Sequence, residues 1–280
     1  MVNIVSYNCN SIRNNVDVVK SLFTDSDIVM LQELMLEKRD IGFLNDISKD
    51  FKHIAFVKDR EMEGICEGRP SRGVAIFWRN DLSVMVSPIY VNDFIIGIVF
   101  KSTSFKILIL NVYMPCDLQT FESLENYRES LVMLEMIIKE QNINHVIIGG
   151  DLNADPKKGR FFRLLKEFTE SMSLHILINA FPLDSFTYLN PAKNTTSWLD
   201  HIICSSELVN KISNVKVNYD TAIYDHFPIT FVLNIPVNYM CYNNNDRVGC
   251  EYVKWDKMTA TDKEEIKNFI DSEMINRNLF

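Results

Sequence analysis

Short apolar runs separated by turn-forming residues recur along the chain. A run of this kind, bounded by turn signals, marks a buried strand. Such runs lie at 1–6, 27–31, 53–57, 73–78, 82–86, 94–100, 105–112 and 145–148, and further strands are expected near 200–204, 214–219 and 228–234. The closely spaced strands across 53–112 predict an antiparallel or mixed sheet section. Helical spacing appears elsewhere. Val16, Val19, Leu22 and Phe23 predict a helix over 14–23. Leu124, Tyr127, Leu131, Leu134 and Ile138 recur at three- and four-residue steps and predict the longest helix, over 120–141. Two more helices are expected at 36–47 and 159–168, a loop at 61–72, and an irregular stretch at 171–197.

Near 239–250 the composition turns to Asn, Tyr and Gly with little apolar periodicity, which reads as a linker. Thr261-Asp262-Lys263-Glu264 then has capping-box form, and Ile266, Phe269 and Ile270 give a one-sided apolar face. The expected organisation is one domain over 1–238, followed by a linker and amphipathic helix over 239–280.

The 280 residues are 47% hydrophobic, enough for one large core. No apolar run reaches the roughly 18 residues of a membrane span, and no signal-peptide pattern opens the chain. The expectation is an intracellular protein with no membrane partner. Six cysteines without CxxC spacing fit reduced thiols. A net charge of −8 argues against non-specific nucleic-acid binding by the whole surface, while leaving room for a local basic face.

The chemistry sits where apolar runs turn polar. Asn8 follows the first strand, and Glu33 follows the second after Gln32. Glu33 is either a surface acid or a ligand for a hard cation such as Mg²⁺, which favours carboxylate oxygen. Asn8 is either a turn former or an amide steering that ligand. Gly149-Gly150-Asp151-Leu152-Asn153 is more specific: two glycines permit close backbone approach, and Asp151 and Asn153 are two apart. Asp151 could activate water and Asn153 could donate to a phosphate oxygen. His226, beside Asp225, could act as acid, base or phosphate clamp, with Asp200 as the carboxylate partner for its other nitrogen. His53, His145, His175 and His201 carry no ligand spacing and receive no role.

Together these strings resemble the endonuclease/exonuclease/phosphatase superfamily. The match runs over 2–234 through Tyr7-Asn8, Gln32-Glu33, Asn111-Val112-Tyr113-Met114-Pro115, Gly150-Asp151-Leu152-Asn153, Thr187-Tyr188, Leu199-Asp200-His201-Ile202 and Asp225-His226-Phe227-Pro228-Ile229. The resemblance implies a DNase I-like, four-layered α/β sandwich of two packed mixed sheets flanked by helices. Within that superfamily the chain is most similar to the endonuclease domain of LINE-type non-LTR retrotransposons. Asn8-Cys9-Asn10-Ser11-Ile12-Arg13 and Gly68-Arg69-Pro70-Ser71-Arg72-Gly73-Val74-Ala75 carry that likeness, with Val253-Lys254-Trp255-Asp256-Lys257-Met258 as the start of a connector toward a downstream reverse transcriptase. Two positions depart from the relatives: Asn10 replaces the acid of apurinic endonucleases, and Tyr224 stands where LINE-type enzymes carry Ser.

By that resemblance Glu33 holds Mg²⁺ (or Mn²⁺), with Asn8 and Asp225 in the metal set. Asp151 activates water, Asn153 and His226 stabilise the phosphate, Asp200 orients the imidazole, and Tyr113 contacts the phosphate. Thr187, Tyr224, Asn10 and Arg72 are the substrate-binding candidates. The implied function is nicking of DNA in the nucleus, leaving a 3′-hydroxyl that primes reverse transcription. The alternatives are another phosphoesterase of the fold (inositol phosphatase, deadenylase or sphingomyelinase) or a silent DNA-binding module.

Overall fold

Strand β1 (Val2–Asn8) sends Val2 and Ile4 to one apolar cluster and Val5 and Tyr7 to another. Both faces of the strand are therefore buried, which is why it reads as a continuous apolar run rather than as alternation. The computed structural model describes residues 1–57, 72–90, 92, 94–182, 184–220 and 225–237. All of them fall within one unit, Met1–Met240. The expected linker and helix at 239–280 lie outside the described residues.

After β1 come α1 (Val16–Leu22), β2 (Ile28–Gln32), β3 (Phe51–Phe56), β4 (Val74–Arg79) and β5 (Val86–Tyr90). Next are β6 (Ile95–Lys101), β7 (Lys106–Tyr113), α2 (Phe121–Gln141), β8 (His145–Asp151) and α3 (Arg160–Ser171). The described chain continues through β9 (Leu174–Ile176), β10 (Tyr188–Asn190), β11 (Thr195–Ser197), β12 (Asp200–Ser205), β13 (Ile212–Val217) and β14 (Ile229–Leu233). Two six-stranded sheets result, in the orders β13-β14-β1-β2-β4-β3 and β5-β6-β7-β8-β12-β9. Both are mixed. β1 pairs parallel with β2, and β7 parallel with β8, each pair joined by a helix.

The core has three parts. Val2, Ile4, Met30, Ile76, Ile109, Ile147, Ile202 and Phe231 meet between the sheets. Val19, Leu22 and Leu44 cover the outer face of the first sheet. Tyr127, Leu134, Phe161 and Leu165 cover the outer face of the second. This is the expected four-layered α/β sandwich. α2 starts where Thr120 caps it, its side chain accepting from the Ser123 amide, and stops at Asn142, whose φ of 49° ends the helix in the left-handed region.

Three expectations change. The helix expected at 36–47 is a 3-10 segment, Lys38–Asp46, in which Gly42 and two aspartates disfavour an α-helix. The strand expected at 82–86 is a 3-10 turn, Asn80–Met85, with β5 beginning only at Val86. Leu82 and Met85, three apart, are both buried, which is the repeat of a 3-10 turn and not of a strand. The irregular stretch 171–197 contains β9, which pairs with β12, and a β10–β11 hairpin. Each of these strands has three residues, too few to show a period.

Candidate active site

Side chains two apart on a strand share a face. On β1 the inter-sheet face carries Val2 and Ile4, so it continues through Ser6 to Asn8. On β2 it carries Ile28 and Met30 and ends at Gln32. On β7 it runs through Ile107 and Ile109 to Asn111 and Tyr113, on β8 from Ile147 through Gly149 to Asp151, and on β12 from Cys204 and Ile202 back to Asp200. The polar residues therefore gather at one rim of the space between the sheets. Register aligns them further, because Asp151 sits opposite both Tyr113 and Asp200.

Asn8 joins the two sheets at this rim. Its Nδ2 donates to Glu33 Oε1 at 2.9 Å and to Asp151 Oδ2 at 3.0 Å. Its Oδ1 accepts from the Asn10 amide at 3.1 Å. These partners fix the orientation of the amide, since carboxylates only accept and a backbone N–H only donates. Asn8 thus turns its nitrogen, not its oxygen, toward the carboxylates. Asn8 is placed to act as the amide that steers Glu33: it holds two acidic groups in place and belongs to the metal set through them, with its nitrogen toward the carboxylates.

The glycines deliver Asp151. A Cβ on Gly150 would lie 2.0 Å from the Val112 carbonyl oxygen, and its φ is +143°. Beyond it, the Asp151 Oδ1 accepts from the Asn153 amide at 3.0 Å. Asn153 has a φ of 50°, and its Nδ2 donates to the Met114 carbonyl at 2.9 Å, leaving one side-chain N–H for a ligand. Glu33 also holds a left-handed φ, of 53°, a conformation uncommon outside glycine and concentrated at functional sites.

His226 completes the chain of contacts. Its Nδ1 lies 2.8 Å from Asp200 Oδ2 and its Nε2 lies 3.8 Å from Asp151 Oδ2. Burial opposes a charge on this imidazole, but Asp200 and Asp151 outweigh it and raise its proton affinity well above the ordinary range. Asp151 is raised chiefly by burial; His226 pulls it down, and Asp200 and Glu33 push it up again. The Tyr113 phenol is also raised, by burial and then by Glu33 and Asp151.

An open cleft of about 420 Å³ lies over these groups, lined by Glu33, Tyr113, Asp151, Asn153, Asp225 and His226 among others. Asp225 accepts from the His226 amide at 3.1 Å, and both its oxygens lie 3.4 Å from Asn10 Nδ2. The structure thus brings together Asn8, Asn10, Glu33, Tyr113, Asp151, Asn153, Asp200, Asp225 and His226.

It does not bring in every candidate. Thr187 is 0% exposed, and its Oγ1 accepts the amides of Leu199 and Asp200 at 2.9 and 3.0 Å. That corrects the expected phosphate contact: the hydroxyl anchors the start of β12, which carries Asp200. The Arg72 guanidinium lies 4.2 Å from the centre of the Phe94 ring and does not line the cleft. Tyr224 lies outside the described residues.

Other residues enter instead. Tyr188 lines the cleft, and its ring centre is 4.9 Å from that of His226. The string Thr187-Tyr188 held the signal, but alternation puts the threonine inside and the tyrosine at the cleft. Gln32 and Asn111 form a buried strut between the sheets. Gln32 Nε2 donates to Asn111 Oδ1 at 2.6 Å, and Asn111 Nδ2 donates to the carbonyls of Leu31 and Ala75 at 2.9 and 2.8 Å. Polar residues at inward positions of apolar runs were the available sign. His201 takes no part in the cleft. Its Nε2 donates to the Ala154 carbonyl at 2.8 Å, and burial lowers its pKa to about 4.

A cation fits this arrangement. Glu33 and Asp151 are both held by one amide nitrogen, and the carboxylates crowded around buried Asp151 leave negative charge that a cation would offset. The donors are oxygens, which suits a hard ion. Asp151, Asp200 and His226 also offer atoms within 4.8 Å of one another. The Asp200–His226 hydrogen bond commits those two to each other, which leaves Glu33, with Asp151 beside it, as the group that could hold the metal.

No curated protein sequence matches the chain. Many solved structures share its fold, among them the following three. A 3′ phosphatase, NExo, from Neisseria, bound to product DNA hairpin, is 16% identical, with a TM-score of 0.66 over 84% of this chain and 100% of that one. An AP endonuclease from Archaeoglobus fulgidus is 16% identical, with a TM-score of 0.65 over 84% and 100%. The endonuclease domain of TRAS1, a telomere-specific non-LTR retrotransposon, is 15% identical, with a TM-score of 0.60 over 84% and 99%. Residues 5–221 match the Endonuclease/Exonuclease/phosphatase family, and the chain is an enzyme belonging to that family.

Proposed function

We propose that the chain is a divalent-metal-dependent DNA endonuclease that nicks one strand to leave a 3′-hydroxyl primer for reverse transcription of a non-LTR retrotransposon. The observation that carries a phosphodiester-cleaving reading is the continuous link Glu33–Asn8–Asp151–His226–Asp200 across both sheets. The likeness to the TRAS1 endonuclease domain and the sequence strings around Asn10 and Ala75 support the retrotransposon part. The substrate is DNA and the cofactor Mg²⁺, with Mn²⁺ as a substitute, and the enzyme works in the nucleus beside a downstream reverse transcriptase.

In this reading Glu33, with Asp151 beside it, would hold the cation, which would supply positive charge to the phosphate. Asp151, fixed by Asn8 and the Asn153 amide, positions and activates the attacking water. His226 stays protonated and donates from Nε2 toward a phosphate oxygen, while Asp200 fixes the ring and keeps the proton on Nδ1. The free N–H of Asn153 and the Tyr113 hydroxyl add donors. The test is nicking of supercoiled plasmid with end-mapping of the product. A 3′-phosphate end, or turnover of inositol phosphates or sphingomyelin with no DNA nicking, would assign the site to another branch of the family.

A further inference from the structure

β7 ends at Tyr113 and α2 begins at Phe121, and the segment between them walls one side of the cleft through Cys116, Asp117 and Gln119. Strand-like pairing reaches only to Met114, whose amide donates to the Asp151 carbonyl at 2.8 Å. Further on, the Gln119 amide donates to Asp117 Oδ1 at 2.8 Å, closing a local turn in which Gln119 takes a φ of 59°. Arg160 ties this turn to α3. Its Nε donates to Asp117 Oδ2 at 2.8 Å, and one terminal nitrogen donates to Asp117 Oδ1. The same nitrogen lies 3.0 Å from both the Thr120 carbonyl and Ser123 Oγ, at the start of α2. A planar guanidinium meets a carboxylate in this two-pronged way with a fixed direction as well as a fixed distance.

Two features set the pair apart from an ordinary surface ion pair, which contributes little. Arg160 is the first residue of α3, where the helix dipole opposes a cation, and that first turn has no acidic residue of its own. Asp117 brings the carboxylate from another element. The side chains are also mostly covered, at 25% and 21% exposed. The hydrogen bond from Arg160 holds the Asp117 carboxyl below its ordinary range, so the acid on the wall stays charged. The cleft already contains Glu33, Asp151 and Asp225. One more uncompensated carboxylate there would repel a phosphodiester.

We propose that Arg160 is a positioning residue for substrate binding. Through Asp117 it holds residues 115–120 as a fixed wall of the cleft. It also cancels the charge that this wall would otherwise turn toward the phosphate strand. The kinetic part of its test rests on the DNA-nicking reading of the cleft; the exchange part rests on the clamp alone.

The test compares nicking of one duplex by the wild type, by Arg160→Ala and by Arg160→Ala combined with Asp117→Asn. Arg160→Ala should raise KM about tenfold, the size expected for losing a charge-assisted contact, with kcat changed by less than about twofold. Adding Asp117→Asn should lower KM again by at least about threefold, because the stranded carboxylate is gone. A merely structural defect would not be relieved by a second substitution. A KM for Arg160→Ala within about twofold of wild type, or no recovery in the double variant, overturns the proposal. Hydrogen exchange gives a readout without turnover. Amides over 114–121 should exchange about tenfold faster in Arg160→Ala, with β8 unchanged. Equal rates in the two proteins overturn the clamp. If the wild type cuts no DNA, the nuclease reading fails separately and exchange decides whether Arg160 holds the wall. Should Arg160→Ala not fold, Arg160→Lys replaces it, since it keeps the charge and loses the fork. Faster exchange over 114–121 in that variant supports the proposal, and unchanged exchange overturns it.

Discussion

His226 Nδ1 lies 2.8 Å from Asp200 Oδ2, although the two residues adjoin strands of different sheets. Asp200 opens β12 of the second sheet, and His226 precedes β14 of the first. Closing the sandwich is what creates the pair, and with it the ring orientation that places Nε2 3.8 Å from Asp151 Oδ2.

Asp200→Asn should therefore keep the fold and lower kcat by about a hundredfold or more. The carboxylate raises His226 above its ordinary value, so removing its charge brings that value down. A step needing protonated His226 would then fail at lower pH, and the alkaline limb of the kcat profile should move toward acid. An unmoved alkaline limb would show that His226 is not the group read there.

Metal dependence follows from the Glu33–Asp151 pair. Mg²⁺ or Mn²⁺ should support nicking, while EDTA or Ca²⁺ should abolish or greatly weaken it. Asp151→Ala should lower turnover by at least about a hundredfold with the melting temperature nearly kept. Full activity in EDTA would end the metal reading.

Gly150→Ala should destabilise strongly, by about 2–4 kcal/mol in urea unfolding, because a Cβ there meets fixed backbone at 2.0 Å. Gly149→Ala should cost less, about 1 kcal/mol, since its Cβ would meet the flexible end of Met30 at 2.5 Å. Equal costs would show that the close approach at Val112 does not govern this strand.

His201 predicts an acid sensitivity distinct from that of the cleft. Its folded value of about 4 lies below the ordinary 6.5, so between these values the unfolded chain binds the extra proton. Its contribution is present above pH 6.5 and is lost as pH falls toward 4. Replacing it by Gln should shrink the drop in melting temperature between pH 7 and pH 5. An unchanged drop would mean that other groups carry the acid transition.

Much of this was legible in the chain because period-two alternation is a local property. It alone puts Asn8, Gln32, Asp151 and Asp200 on the same faces as the isoleucines that precede or follow them. The Gly149-Gly150 pair likewise announced a close backbone approach before any neighbour was known. Alternation does not say which face meets which, nor what a polar group touches once there. Asn8 reads in the sequence as a turn former or a steering amide because its nearest sequence neighbours do not include Glu33 or Asp151; only strand pairing and sheet stacking supply those acceptors and so decide which end of the amide points inward. Thr187 and Tyr188 are adjacent in sequence, and only the pairing of the β10–β11 hairpin beside β12 buries the hydroxyl and leaves the phenol at the cleft. The same long-range closure brings Asp155 and Ser197 to the lining of one cleft, a relationship between residues far apart in the chain and therefore invisible to any window read along the sequence.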